Sequence, residues 1–242
     1  MVRHGKAEAY PPRLLALENS GPTASVALVC PGLCLAEISL AVGDNLSRRL
    51  LPGIRQLMED TATNWEEIDA IAVSAGPGSF TGLRLGLATA KALVMATGKP
   101  LIAVSSVTVL ARQLPWTERL LCPVIDARRG EVYTAFYRCD ALGVPRRLGP
   151  VAARRPEELI EMIEGEVLFV GDGIRLYREL WRAGLGGRAS FADPGLFFPR
   201  ASALGLAALE KWRVGEFIDP VLGEPEYIRG PELGLPVAGP PA

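Results

Sequence analysis

A chain of 242 residues that is 49% hydrophobic and 22% charged has enough apolar side chains to bury a core, as one domain or two closely associated lobes. Lys and Arg total 26 against 27 Asp and Glu, a net charge of -1, so no surplus of positive charge exists for holding a nucleic-acid backbone unaided. Residues 1–12 carry no apolar h-region and no stretch reaches the roughly 18 apolar residues of a membrane span, so a cytoplasmic location without membrane contact is expected.

Residues 1–12 read as a flexible tail. Leu14 to Leu17, Ala24 to Val29 and Leu33 to Ala41 are short apolar or alternating runs separated by Gly21-Pro22 and Pro31-Gly32, the pattern of a three-strand meander. From Leu46 to Thr61, Leu46, Leu50, Ile54, Leu57 and Met58 recur at helical spacing, and Pro52 is expected to kink that helix or mark its start. Ala70 to Ala75 predicts a buried strand, Gly76 to Gly78 a tight turn, Ser79 to Thr97 a long helix and Leu101 to Val104 a second strand. That is a strand-helix-strand unit with parallel strands.

After Pro115 the pattern partly repeats, with strands at Leu120 to Asp126 and Val132 to Tyr137 around the turn Arg128-Arg129-Gly130. A helix at Pro156 to Ile163, a strand at Val167 to Gly171 and helices at Leu176 to Ala183 and Ser202 to Trp212 follow. These divide the chain into a first lobe at 13–114, carrying the helices suited to a partner, and a smaller second lobe at 115–229. The last helix has the option of returning to the first lobe. Residues 230–242, rich in Pro and Gly, are expected to be disordered.

The segment Gly76-Pro77-Gly78-Ser79-Phe80-Thr81-Gly82-Leu83-Arg84 joins a strand to a helix, with glycines for a sharp turn and Ser79 placed as a cap. It lacks the Gly-Lys-Ser/Thr of a P-loop, and Thr81 stands where the dinucleotide pattern needs a third Gly, so a structural turn outweighs a phosphate site. In the following helix Leu83, Leu87, Ala90 and Val94 form one apolar stripe and Leu85, Ala88, Ala92 and Met95 another, with Arg84 and Lys91 between them. Such a helix needs two burial surfaces: its own sheet, and either a second lobe or another chain. Gly82, Gly86 and Ala90 are read as the positions that let a neighbouring helix approach, and Leu50, Ile54, Phe80, Leu83 and Leu87 complete the candidate partner interface. Full burial within this chain is the competing reading.

The cluster from Asp126 to Glu131 reads either as paired carboxylates with flanking arginines or as a hairpin with surface ion pairs, and the hairpin explains it at lower cost. Cys30, Cys34, Cys122 and Cys139 lack zinc spacing and are expected as reduced thiols, a Cys30–Cys34 disulfide across the Pro31-Gly32 turn being the alternative. His4 is the one histidine, so no histidine-based metal site can be assembled.

Three motifs carry a family resemblance. Gly76 to Gly86, including Gly78, Ser79, Thr81 and Arg84, resembles the signature of the TsaB family, and Ser105-Ser106 follows at the usual distance. Asp126-Ala127-Arg128-Arg129-Gly130-Glu131-Val132-Tyr133 resembles its second motif, and Pro225-Glu226-Tyr227-Ile228-Arg229 its third. The resemblance covers roughly residues 13 to 229 and implies an α/β, two-lobe actin/hexokinase-like fold, each lobe a mixed sheet with flanking helices. It further implies a non-catalytic subunit that pairs through its first two helices with the catalytic paralogue TsaD. A TsaE-type ATPase then joins the pair, and ATP or ADP and metal belong to the partner subunits. The product is the threonylcarbamoyl group on N6 of the tRNA adenosine next to the anticodon, with tRNA reached only through the complex.

Two departures stand against that pattern: Glu18-Asn19-Ser20 where the family has Asp-Thr-Ser, and Leu46 where a histidine is common. Open alternatives are a homodimer through the same helices when the partner is absent, and a stand-alone nucleotide-dependent transferase or kinase. A peptidase has neither H-E-x-x-H nor a histidine base for a Ser or Cys nucleophile.

Overall fold

A computed structural model describes residues 11–41 and 46–222. The expectations for 1–10, for Tyr227 and Arg229 and for 230–242, and the side chain of Leu46, lie outside the described residues.

The first sheet is built from β1 (Leu14–Glu18), β2 (Thr23–Cys30), β3 (Leu33–Ala41), β4 (Ala70–Gly76) and β5 (Leu101–Ser105), in the order β3-β2-β1-β4-β5. The meander pairs antiparallel and β1, β4 and β5 run parallel. β1 is apolar on both faces because both are covered. On one face Leu15, Leu17, Leu28, Ile71 and Val73 meet α1 (Leu46–Asp60) and α2 (Phe80–Thr97). On the other, Ala16, Ala27, Ala70 and Ala72 meet α6 (Ala201–Arg213). Small residues on both sides bring α6 close: a Cβ added at Gly205 would stand 2.6 Å from Val29 Cγ2. The start of α6 is tied to the sheet, since Ala201 N donates to Ser25 Oγ (2.9 Å) and Ser202 donates through N and Oγ to the Glu37 carboxylate (both 3.0 Å).

The second sheet contains β6 (Leu120–Arg128), β7 (Glu131–Thr134), β8 (Tyr137–Cys139), β9 (Pro145–Arg147), β10 (Ala152–Arg154), β11 (Val167–Val170) and β12 (Ala189–Phe191). Its main path, β10-β7-β6-β11-β12, repeats the first sheet in order and strand sense, with β8 and β9 added on the β6 side. Here α4 (Pro156–Met162) and α5 (Ile174–Leu185) close the core: Trp181 stacks on Phe169 with centroids 4.3 Å apart and donates Nε1–H to Pro156 O at 2.9 Å. Glu210 of α6 joins the lobes, accepting from Arg112 Nη1 (2.8 Å) on α3 (Ser106–Arg112) and from Arg146 Nη1 (2.6 Å) on β9.

Three local readings change. α1 runs from Leu46 through Pro52, which stands on the exposed face inside the helix and does not mark its start. α3 follows β5 without a loop and escapes sequence reading because its buried stretch is short and apolar on most sides. β9, β10 and β12 have 3 residues each, too few to show a period. All four cysteines are free.

Candidate functional site: an interlobe cleft and an uncovered helix face

β1 ends at the sheet's switch from antiparallel to parallel pairing, and the turn after it packs on the start of α2. Gly76 and Gly78 have positive φ (99° and 159°), and a Cβ at Gly78 would lie 2.2 Å from Ser20 O. Ser79 N donates to Ser20 O at 2.7 Å, Gly82 N donates to the capping hydroxyl of Ser79 at 3.2 Å, and Asn19 Nδ2 donates to Gly82 O at 2.7 Å. Two of the amides with which the helix start would greet an anion are therefore already engaged by this chain. Glu18, buried at the end of β1, accepts from Ser20 N at 2.7 Å through Oε1, while Oε2 is buried with no protein partner among the described residues. Burial pushes its carboxyl above the ordinary range, against the opposing contacts with Ser20 and Ser74.

Opposite this turn, a cleft of about 1080 Å³ separates the lobes, with Ser20, Thr81, Leu85, Asp126, Arg175 and Phe198 among its walls. At its second-lobe side Asp126 N donates to Asp172 Oδ1 at 3.0 Å, and Asp126 in turn accepts from Arg128 N (2.8 Å) and pairs with Arg128 Nη1 (3.1 Å). Gly171, at φ 120°, makes this meeting possible: a Cβ there would lie 2.2 Å from Val124 O. Burial first, then the neighbouring Asp126 charge, raises the pKa of Asp172, with the Asp126 N–H opposing. Among the described residues no three His, Cys, Asp or Glu side chains come together as a metal site.

Gly130 completes the β6–β7 turn with Arg128 and Arg129, all at positive φ, and Glu131 opens β7 in register with Arg128. The hairpin reading of 126–131 thus describes the backbone. It missed that Asp126 and Tyr133 face the cleft and that Asp172 lies beside Asp126. The signal for Asp172 was Gly171-Asp172-Gly173 directly after a strand, a turn that carries one carboxylate between two glycines.

The candidate partner interface requires a correction. Leu50, Ile54, Gly82, Leu83, Gly86, Leu87 and Ala90 are all buried in this chain's own first lobe. Gly82 and Gly86 admit Asn19: an added Cβ would meet Asn19 O at 2.1 Å and Asn19 Nδ2 at 2.3 Å respectively. Only Phe80 of the eight is exposed, with the Arg84 guanidinium 3.7 Å above its ring. The second stripe behaves differently. Ala88, Ala92 and Met95 are exposed, Met95 at 82%, and Leu85 is half-buried. Burial of the whole helix within the described residues is therefore excluded, and its outer face is uncovered.

A family model described as "TsaD: tRNA N6-adenosine threonylcarbamoyltransferase" matches residues 41–193. The chain is similar to the tRNA threonylcarbamoyladenosine biosynthesis protein TsaB of Escherichia coli (strain K12), 32% identical over 225 residues, 90% of this chain and 94% of that one. It is 31% identical to the protein of the same name from Bacillus subtilis (strain 168) over 201 residues, 82% of this chain and 87% of that one. An uncharacterised Pseudomonas aeruginosa protein with similarity to peptidase YeaZ superposes with a TM-score of 0.77 at 28% identity, over 90% of this chain and 100% of its own. YeaZ from Pseudomonas aeruginosa follows at 0.73 and 28%, over 89% and 100%.

Proposed function

This chain belongs to the TsaB family of tRNA threonylcarbamoyladenosine biosynthesis proteins, and from that premise we propose that it is the non-catalytic, partner-binding subunit of the system. Its partner is a TsaD-type catalytic paralogue, and the pair forms the threonylcarbamoyl group on N6 of the tRNA adenosine next to the anticodon. A TsaE-type ATPase and tRNA reach this chain through that pair.

The observation that carries the reading is the uncovered outer face of α2. A helix whose inner stripe fills its own core and whose outer stripe offers Ala88, Ala92 and Met95 to water is built for a second surface, and small residues there allow close helix approach. The cleft supports the same division of labour. The α2 start is engaged by Ser20 and Ser79, and burial at the β1 terminus works against the charged form of Glu18. Two sheets of the same order and strand sense give the two-lobed arrangement that the family resemblance implies, and fold alone does not confer activity. Among the described residues no helix is long and apolar enough to cross a membrane.

The test is reconstitution of the tRNA modification with the TsaD-type and TsaE-type proteins, with this chain present, omitted or carrying Met95→Asp. Modification that depends on this chain and is lost with Met95→Asp supports the reading. An isolated chain that hydrolyses ATP, with the activity lost in Asp172→Asn, would replace it by the stand-alone transferase or kinase.

A further inference from the structure

Beyond α6 the chain turns back over the first lobe as a strap. Ile218 N donates to Leu101 O at 2.9 Å, forming one antiparallel bridge on the outer edge of β5, and its side chain packs against the α2 side of the core. Asp219 Oδ1 then accepts from Val221 N (2.6 Å) and Leu222 N (3.1 Å), and Lys91 of α2 donates Nζ–H to Val221 O at 3.2 Å. These bonds fix residues 218–222 against the flank of α2. They nonetheless hold Val221 and Leu222 outward at 80% and 76% exposure.

Water gains nothing from apolar side chains fixed outward on a hydrogen-bonded strap, whereas a partner does, because the conformational cost of ordering them has already been met. We propose that residues 218–222 form the second half of the partner surface, so that the chain covering the outer face of α2 also covers Val221 and Leu222. This rests on α2 being the partner face. The argument is continuity. Lys91 ties the strap to α2 one turn before Met95, so a surface laid on Met95 reaches Val221 across that single lysine. The charges at the junction, Lys91 and Asp219, cancel, and Asp219 turns its carboxylate onto the strap's own N–H groups. Such a junction suits an apolar protein surface and not a phosphate backbone.

The experiment measures affinity of the full chain for its TsaD-type paralogue by sedimentation, with Val221→Asp/Leu222→Asp, Met95→Asp and, as a distant exposed control, Leu142→Asp. The first two each weaken association about tenfold or more and the control leaves it unchanged. Weakening by Met95→Asp alone overturns the strap and spares the α2 reading; weakening by neither removes both. If the strap variant instead lowers the melting temperature of the free protein with affinity unchanged, this chain covers Val221 and Leu222 itself and the inference fails. It fails equally if only self-association of the free protein changes, which assigns the strap to a second copy.

Discussion

Replacing Gly82 by Ala tests how the β1–β2 turn is locked to α2. The new Cβ would stand 2.1 Å from Asn19 O, a backbone atom, so relief requires the turn and helix to part by about 1 Å. Overpacking of that kind costs about 1–3 kcal/mol. Parting also strains two buried or partly buried bonds, Asn19 Nδ2 to Gly82 O and Ser79 N to Ser20 O, each contributing about 1 kcal/mol. The Gly-to-Ala gain in helix propensity offsets about 1 kcal/mol. The net expectation is a loss of about 2–4 kcal/mol in urea unfolding, and a melting temperature lower by about 5–15 °C. Gly165→Ala, where an added Cβ meets nothing within 4 Å, serves as the control and should change stability by less than about 0.5 kcal/mol. A Gly82→Ala protein as stable as that control would refute the locked turn.

Gly86→Ala differs because its Cβ meets the Asn19 side chain first, so Asn19→Ala should relieve it; a double-mutant cycle with less than about 0.5 kcal/mol of coupling would contradict the packing. For Glu18, burial raises the folded pKa above the unfolded value, so its protonation contributes stability fully below about pH 4.5 and loses it as pH rises toward the folded value. Relative to Glu18→Gln, wild type should therefore lose stability through that window at up to about 1.4 kcal/mol per pH unit; urea titrations from pH 4.5 to 8 that show a constant difference would exclude it. Glu210→Ala removes the acceptor shared by Arg112 and Arg146 and should cost about 1–2 kcal/mol, less at high salt; an unchanged unfolding midpoint at low salt would show that the link between lobes contributes nothing.

The elements legible in the sequence were those with a period long enough to read. The meander, the Ala70–Thr97 strand and helix and the Ser202–Trp212 helix emerged nearly in place because alternating or helical apolar spacing marks them. The strands of the second sheet's far edge did not, being short and set by pairing with neighbours distant in sequence. The two-sided character of α2 was also legible, but not which neighbour its glycines serve. Small residues say that something comes close, and only the fold shows that Asn19 does so at Gly82 and Gly86, leaving Ala88, Ala92 and Met95 outward. Likewise Asp126 was visible as a motif residue, whereas its partner Asp172 is 46 positions away and joined to it by the parallel pairing of β6 and β11.

The central claim is that the outer face of α2 holds a TsaD-type subunit. Light scattering of this chain mixed with the TsaD-type paralogue from the same source tests it most directly, for wild type and for Ala92→Glu, which adds a charge to an exposed helix position without entering the core. A mixed species whose mass is the sum of the subunits, absent with Ala92→Glu although that variant unfolds like wild type, is the predicted result. Failure of the wild-type chain to associate, or equal affinity for both forms, would contradict it.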